Sequence, residues 1–124
     1  SPVARGEATT ITVGSGTHDV QIRNKPDIAD GYTYPIVTVT GGSVDIVNTT
    51  DDSQRHFKFS GLTASETTTV DNEVRYISSS IGGEKLSKFT SKNWLRLRPG
   101  MNDLTIVASG TVTITCPYYA MIGY

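Results

Sequence analysis

The 124-residue sequence has few of the residues that form disulfides, metal sites or membrane segments: it contains one cysteine, two histidines, five prolines and no long apolar run. The single Cys116 excludes an internal disulfide, so packing and hydrogen bonds must hold the fold together. No segment has the length of a transmembrane helix or the pattern of a secretory leader, so we expect no membrane insertion. Ser1 and Pro2 open the sequence without a methionine, and we expect a piece of a longer protein.

The sequence also lacks an excess of charge of either sign. Eleven Lys and Arg residues stand against twelve Asp and Glu residues, which gives a formal net charge of -1. A nucleic-acid-binding surface requires clustered positive charge, so nucleic acid is not an expected partner. The length is that of one domain, and residues 1–124 are predicted to form a single domain.

Groups that could carry out catalysis are scarce. Neither His18 nor His56 lies in a nucleophile, phosphate-binding or zinc motif. His56 alternates with two phenylalanines and is predicted to be a solvated strand residue, whereas His18 is predicted to cap a Gly-Ser-Gly turn. Cys116 shares the strand parity of Val112 and Ile114, so we predict a small core residue. We therefore predict no enzyme activity, no catalytic residue and no cofactor.

Metal ligands are few, and calcium is the one ion for which candidate residues exist. One cysteine and two separated histidines do not make a zinc site. Asp27 lies near Asp30, and Asp51 is followed by Asp52; such carboxylates with loop carbonyls can bind calcium. Neither pair has the spacing of an EF-hand, and Asx-turn hydrogen bonds explain both. We predict turn roles and no metal site.

Alternation of apolar and polar residues is the dominant pattern of the chain, and turn residues interrupt it about every ten residues. This pattern predicts an all-β fold, an antiparallel β-sandwich. A hairpin is predicted around Asp71 and Asn72, with Val74 already in its second strand, and residues 78–91 are predicted to be a long surface loop with one irregular helical turn. The predicted strands include residues 11–13, 20–22, 36–39, 44–46, 57–59, 66–70 and 74–77.

Residues 93–114 (NWLRLRPGMNDLTIVASGTVTI) predict a three-stranded meander. Leu95 and Leu97 alternate with arginines, Pro99 and Gly100 fit a type II turn, and residues 104–106 resume the apolar alternation. A second turn at residues 109–110 leads into a final predicted strand.

Aromatic side chains carry the clearest binding signal, because exposed Trp and Tyr rings on a β-sandwich can stack against sugar rings. The candidate sugar-stacking residues are Trp94, Tyr118, Tyr119 and Tyr32. Trp94 lies on the strand face opposite the leucines and is predicted to be half-exposed. Packing at a sheet edge, or an interface with a neighbouring subunit, is the preferred explanation of the same residues.

Several motifs in a fixed order resemble the siphophage distal tail protein family. Residues 94–106 (WLRLRPGMNDLTI) are similar to its Trp-Leu-x-Leu-x-Pro-Gly-x-Asn-x-Leu-x-Ile run near the end. Residues 34–42 (YPIVTVTGG) and 44–50 (VDIVNTT) resemble the two strands that come before it. Ser65 stands where the family usually has glycine before Glu66. The resemblance covers residues 24–114.

This resemblance implies a galectin-like or carbohydrate-module-like sandwich of jelly-roll type from the C-terminal part of a phage tail-tip protein. It also implies a virion location, a structural and docking role, and other phage tail or baseplate proteins as partners. In that family another portion of the chain forms a hexameric ring, so the isolated domain is expected to be monomeric. A closely related minor tail or baseplate protein, or a carbohydrate-binding module that recognises a host cell-wall glycan, is the alternative.

Overall fold

The structure, a computed structural model, describes residues 9–24 and 31–116. Within these ranges the chain forms nine β-strands and one short 3-10 helix, and no helix there is long and apolar enough to cross a membrane. The strands are β1 (Thr9–Val13), β2 (Gly16–Asn24), β3 (Ile36–Thr40), β4 (Val44–Asn48), β5 (His56–Phe59), β6 (Thr67–Asp71), β7 (Tyr76–Ser79), β8 (Gly100–Ala108) and β9 (Thr111–Cys116); the 3-10 helix is Leu86–Lys88.

Two antiparallel sheets face each other and enclose the core. One sheet has the strand order β1-β9-β3-β6-β7, and the other has the order β2-β8-β4-β5. Buried and less buried residues alternate along most strands, because successive side chains point to opposite faces of a sheet. The predicted antiparallel β-sandwich is confirmed. Its largest buried apolar side chains are Phe57, Phe59, Phe89, Ile22, Ile46, Leu97, Leu104, Ile106 and Ile114.

The predicted three-stranded meander is wrong in two respects. Strand β8 pairs with β2 and β4 in one sheet, whereas β9 pairs with β1 and β3 in the other, so the turn at Ser109 and Gly110 joins opposite sheets. Residues 94–98 form no strand, and only Leu97 makes an isolated bridge, to Thr33. Alternation of apolar and polar residues indicates which side chains are buried, but it does not indicate which strands are hydrogen-bonded neighbours.

The predicted hairpin forms between β6 and β7, in which Asp71 lies opposite Tyr76. Its turn extends to Arg75, which adopts a positive φ of 58°, so Val74 belongs to the turn and not to the second strand. Ser78 and Ser79, which were predicted to begin the long loop, belong to β7 because they pair with Thr69 and Thr68. The loop that follows contains the 3-10 helix, as the sequence predicted, and buries Phe89.

A buried carboxylate attaches this loop to the sandwich. Glu66 is fully buried and accepts hydrogen bonds from the Thr63 backbone N–H at 2.9 Å and from the Ser79 hydroxyl. The Lys85 ammonium lies 2.9 Å from its Oε2. The Ser79 hydroxyl is the largest influence that lowers the pKa of Glu66 to about 2, so the carboxylate is charged at neutral pH and needs all three partners.

Gly100 provides a test of the predicted type II turn. It adopts a φ of 89°, and no atom lies within 4 Å of a Cβ built there, so a side chain would be strained by the backbone and not by crowding. We expect Gly100→Val to lower the free energy of unfolding by about 1–3 kcal/mol in urea denaturation. Gly14→Val is the control, because Gly14 has open space without a positive φ. Equal stability of both variants would contradict the assigned turn.

Thr68 provides a second test, because its buried hydroxyl has no hydrogen-bond partner within residues 9–24 and 31–116. Thr68→Val keeps the shape of the side chain and removes the unsatisfied hydroxyl, so we expect the free energy of unfolding to rise by about 1–2 kcal/mol. The neighbouring Thr69→Val, on the outward face, should change it by less than about 0.5 kcal/mol. A lower melting temperature for Thr68→Val would show that the hydroxyl is satisfied.

Candidate functional site

The predicted binding residue Trp94 and the two arginines after it lie on a short segment of residues 94–98, which we call the strap. Leu95 and Leu97 are buried in the core, whereas Arg96 and Arg98 point outward. Leu97 exchanges backbone hydrogen bonds of 2.7 Å and 2.9 Å with Thr33. The strap therefore buries two leucines while making, among the residues that the structure describes, a single two-residue bridge to another segment.

Asparagine side chains replace the missing strand partners of the strap backbone. The Asn72 side-chain oxygen accepts the Leu95 N–H at 2.9 Å, and Asn72 in turn donates to the Pro35 carbonyl at 2.7 Å. The Asn48 amide donates to the Arg96 carbonyl at 3.0 Å. Asn72 follows β6 of one sheet and Asn48 ends β4 of the other, so the strap is fixed to both sheets.

Two more asparagines fix the end of the strap before the Pro99 turn. The Asn102 side chain accepts the Arg98 N–H and donates to the Arg98 carbonyl, both at 2.8 Å. The Asn24 amide donates to the same carbonyl at 3.2 Å. All four asparagines are buried. Sequence reasoning missed them, although three of them, Asn24, Asn48 and Asn102, occupy inward positions at strand ends, where a polar residue departs from the apolar pattern.

The Arg96 guanidinium lies between a carboxylate and an aromatic ring. Its Nε is 2.6 Å from Asp51 Oδ2 and its Nη2 is 3.2 Å from Asp51 Oδ1. The Tyr32 ring stacks on the guanidinium, with 3.9 Å between the ring centroid and the guanidinium carbon. Asp51 Oδ1 also accepts the Ser53 N–H at 3.1 Å, which confirms the predicted Asx-turn. Hydrogen bonding to Arg96 lowers the pKa of Asp51 to about 2.

Asp51 and Asp52, one of the two candidate pairs for calcium binding, both face arginine side chains. Both carboxylate oxygens of Asp51 are bound by Arg96, and the side chain of Asp52 is 98% exposed and reaches only Arg98, at 3.7 Å. Guanidinium groups thus face both carboxylates where a cation would bind, which favours the predicted turn role. In the described part of the chain no group of three His, Cys, Asp or Glu residues could hold a metal ion. Asp27 and Asp30 lie outside the described residues.

The surface around the stacked pair is open to a partner. Tyr32 is 44% exposed, and an open depression next to it is lined by Arg98 and Pro99. We call Tyr32, Arg96, Arg98 and Pro99 the strap surface. Arg98 is held weakly, by the exposed Asp52 carboxylate at 3.7 Å and by the Thr50 carbonyl at 3.4 Å, so its guanidinium can bind another acceptor at little cost.

The remaining predicted binding residues are not all gathered at the strap surface. Trp94 is half-buried, as predicted, and its ring centroid lies 4.8 Å from that of Phe89. It also lines an open depression with Arg75, Glu84 and Lys85. Tyr118 and Tyr119 lie outside the described residues.

The histidines and the cysteine have the structural roles predicted for them. His18 Nε2 is 2.9 Å from the Gly14 carbonyl, which closes the preceding turn. His56 is exposed on β5, and its Nδ1 lies 2.8 Å from Asp45 Oδ1. Cys116 is buried, and burial raises the pKa of its thiol to about 11. A thiol with a raised pKa is a core residue and not a nucleophile at neutral pH.

The depressed pKa of Asp51 gives a pH-dependent test. Its contribution to stability is present above the ordinary pKa of 3.8 and is lost as the pH falls toward about 2. We expect Asp51→Asn to be less stable than the wild type at pH 7, by on the order of 2 kcal/mol in urea denaturation, and the difference to shrink between pH 4 and pH 2. Asp52→Asn is the exposed control and should show no such difference. A constant difference across this range would contradict the ion pair.

The fold of this chain is shared with a known phage protein, whereas its sequence has no curated match. No curated protein sequence matches the chain. The structure is similar to that of the Dit (gp 19.1) protein of phage SPP1, which is described as a paradigm of the hub adsorption apparatus in phages that infect Gram-positive bacteria. The TM-score is 0.62 at 14% identity, over 92% of this chain and 48% of the SPP1 protein. The chain thus spans about half the length of that protein, and the similarity shows a shared fold.

The family to which the chain belongs is shown by a sequence match to a family model. A family model described as a phage tail C-terminal domain matches residues 5–116, which is nearly the whole chain. Together with the shared fold, this match confirms the resemblance seen in residues 24–114. The protein belongs to the phage tail C-terminal domain family and is a component of a bacteriophage tail.

Proposed function

We propose that this chain is a structural domain at the tip of a siphophage tail, where it docks neighbouring tail or baseplate proteins that take part in host adsorption. Membership of a phage tail family and the fold shared with a hub protein support this role. We further propose that the domain is the C-terminal part of a longer protein, that it is monomeric by itself, and that another part of the longer protein forms a hexameric ring. The proposed role is structural and not enzymatic.

The observation that carries the docking role is the display of the firmly held pair Tyr32 and Arg96 beside the exposed Arg98 on the strap surface. Tyrosine and arginine are the residue types most enriched among the residues that dominate binding energy at protein interfaces. Arg96 is held by Asp51 and stacked against Tyr32, so neither side chain has much freedom to lose when a partner binds. Such preorganisation lowers the entropic cost of association.

The chemistry of the strap surface indicates what kind of partner fits it. Two guanidinium groups lie close to an exposed aromatic ring, and the two nearby carboxylates already face them. A partner that offers a carboxylate or backbone carbonyls beside a flat apolar side chain could bind Arg98 and cover Tyr32. A partner loop with an acidic residue next to an aromatic or proline has this character.

A carbohydrate-binding role is our second proposal. Trp94 lines a depression whose other walls include Arg75, Glu84 and Lys85, and an aromatic ring with charged hydrogen-bonding groups around it suits a sugar. Tyr32, Tyr118 and Tyr119 remain in this proposal as further stacking candidates. The strap surface favours docking because its aromatic ring is already stacked on a guanidinium.

The docking role is tested in the phage by exchanging one charge on the strap surface. We expect Arg98→Glu particles to retain the tail tube but to lose, at least about tenfold, the tail-tip proteins that contact this domain, because the exposed arginine is replaced by a repelling carboxylate. Quantitative mass spectrometry of purified particles and plaque counts measure the loss. Lys58→Glu, an equal charge change at a β5 residue outside the strap surface, is the control. Normal composition and infectivity of Arg98→Glu particles would contradict docking through this surface.

A further inference from the structure

The outward face of the sheet β1-β9-β3-β6-β7 consists largely of threonine. The pattern Thr-x-Thr occurs on four adjacent strands, β1, β9, β3 and β6, with the intervening residues directed into the core. The strand register aligns one row straight across the sheet: Thr12, Thr113, Thr38, Thr69 and Ser78. We call this surface the threonine face.

The threonines of this face offer hydroxyl and methyl groups side by side, and their rows carry no charge. Neighbouring hydroxyls are in contact across the strands: Thr12 with Thr113 at 3.0 Å, and Thr40 with Thr67 at 3.4 Å. Each hydroxyl can donate one hydrogen bond and accept two, so it keeps capacity for a ligand after bonding to its neighbour. The methyl groups between them provide a flat apolar surface.

One edge of the threonine face carries an aromatic ring and a carboxylate. Asp71 lies directly opposite Tyr76, and both side chains point to the same side as Thr69. Tyr76 is 64% exposed, which makes it the most exposed aromatic residue among those that the structure describes. Asp71 Oδ1 accepts the Glu73 N–H at 3.0 Å, and its Oδ2 makes no hydrogen bond to any described residue.

The outward face of the other sheet has the opposite character. Several of its polar side chains are charged or ionisable, and they are engaged with their neighbours: the neutral Gln21 amide donates to Asp103 at 2.8 Å, and His56 lies 2.8 Å from Asp45. A ligand would have to break these contacts and displace water from charges, which costs free energy. The two faces of the sandwich therefore differ in what they can bind.

We propose that the threonine face binds an uncharged polysaccharide, with Tyr76 stacking on one sugar ring and Asp71 accepting hydrogen bonds from sugar hydroxyls. Sugar hydroxyls are donors and acceptors at once, as threonine hydroxyls are, and sugar C–H groups match the methyl groups and the tyrosine ring. A ligand without charge meets a face on which, within the described residues, Asp71 is the single charged group.

The size of the threonine face favours a glycan over a protein as its occupant. Five strands about 4.8 Å apart and five residues of about 3.4 Å each cover roughly 300 Å². A stable protein interface buries about 800 Å² on each partner, well above that area. An extended glycan of a few rings fits within it, and many copies of the domain on one virion would strengthen a weak contact by avidity.

This inference goes beyond the docking role and uses a different surface, so either can fail alone. The test measures binding of the complete chain to three uncharged hexasaccharides, from chitin, cellulose and laminarin, and to an acidic hexagalacturonate, by calorimetry and NMR titration. Tyr76→Ala removes the aromatic ring, and Thr69→Lys places a charge in the central row. Thr17→Lys makes the same change on the outward face of the other sheet, and thermal unfolding checks that each variant is folded.

We expect at least one uncharged hexasaccharide to bind, with about tenfold weaker affinity in Tyr76→Ala and in Thr69→Lys and unchanged affinity in Thr17→Lys. Tyr76→Ala carries the test if Thr69→Lys fails to fold, since an exposed ring contributes little to stability. Binding that is lost in Trp94→Ala but kept in Tyr76→Ala would overturn the proposal in favour of the Trp94 depression. Binding of the acidic glycan alone, or of none at millimolar concentration, would also overturn it.

Discussion

A segment that buries two leucines without joining a sheet leaves its own peptide groups without the hydrogen bonds that a strand would receive. Each buried peptide group without a partner costs about 1–3 kcal/mol, so the strap could not enter the core unless other groups met this demand. Asn24, Asn48, Asn72 and Asn102 meet it from both sheets. The position of the exposed strap residues, and therefore of the strap surface, depends on these buried amides.

The loop after β7 illustrates the same principle with charge in place of amides. Glu66 is buried and stable as a carboxylate only because Ser79, Thr63 and Lys85 surround it. Removing the Lys85 ammonium would leave an unpaired buried charge, which is far more costly than losing a surface ion pair. The wall of the Trp94 depression includes Glu84 and Lys85, so this buried pair positions that depression. At both places a polar side chain in the core determines the shape of an exposed surface.

The sequence predicts the sandwich because alternation reports directly which side chains enter the core. It could not predict that β8 and β9 belong to different sheets, since both arrangements bury the same residues. The same pattern predicts a strand at the strap, because Leu95 and Leu97 are buried at alternate positions. In the structure, asparagine side chains make the hydrogen bonds that the backbone of a neighbouring strand would otherwise make. The stacking of Tyr32 on Arg96 and the Arg96–Asp51 pair join residues far apart in sequence, which no local pattern indicates. Nothing in the local sequence distinguishes Tyr76 from any other tyrosine in a hairpin strand; the strand register places it beside the threonine rows.

The strap surface and the threonine face differ in charge, and our two proposals rest on that difference. The strap surface concentrates guanidinium groups beside an aromatic ring, and its salt bridges make it suited to a partner whose own charges are fixed in a folded protein. The threonine face carries hydroxyls in rows that a charged protein surface cannot match without leaving its charges poorly solvated. The two proposals are compatible, because a protein neighbour on the strap surface would leave the threonine face, with Asp71 as its single charged group among the described residues, available for a glycan. Since the strap is fixed by buried asparagines and the threonine face by strand register, a substitution on one surface leaves the geometry of the other intact.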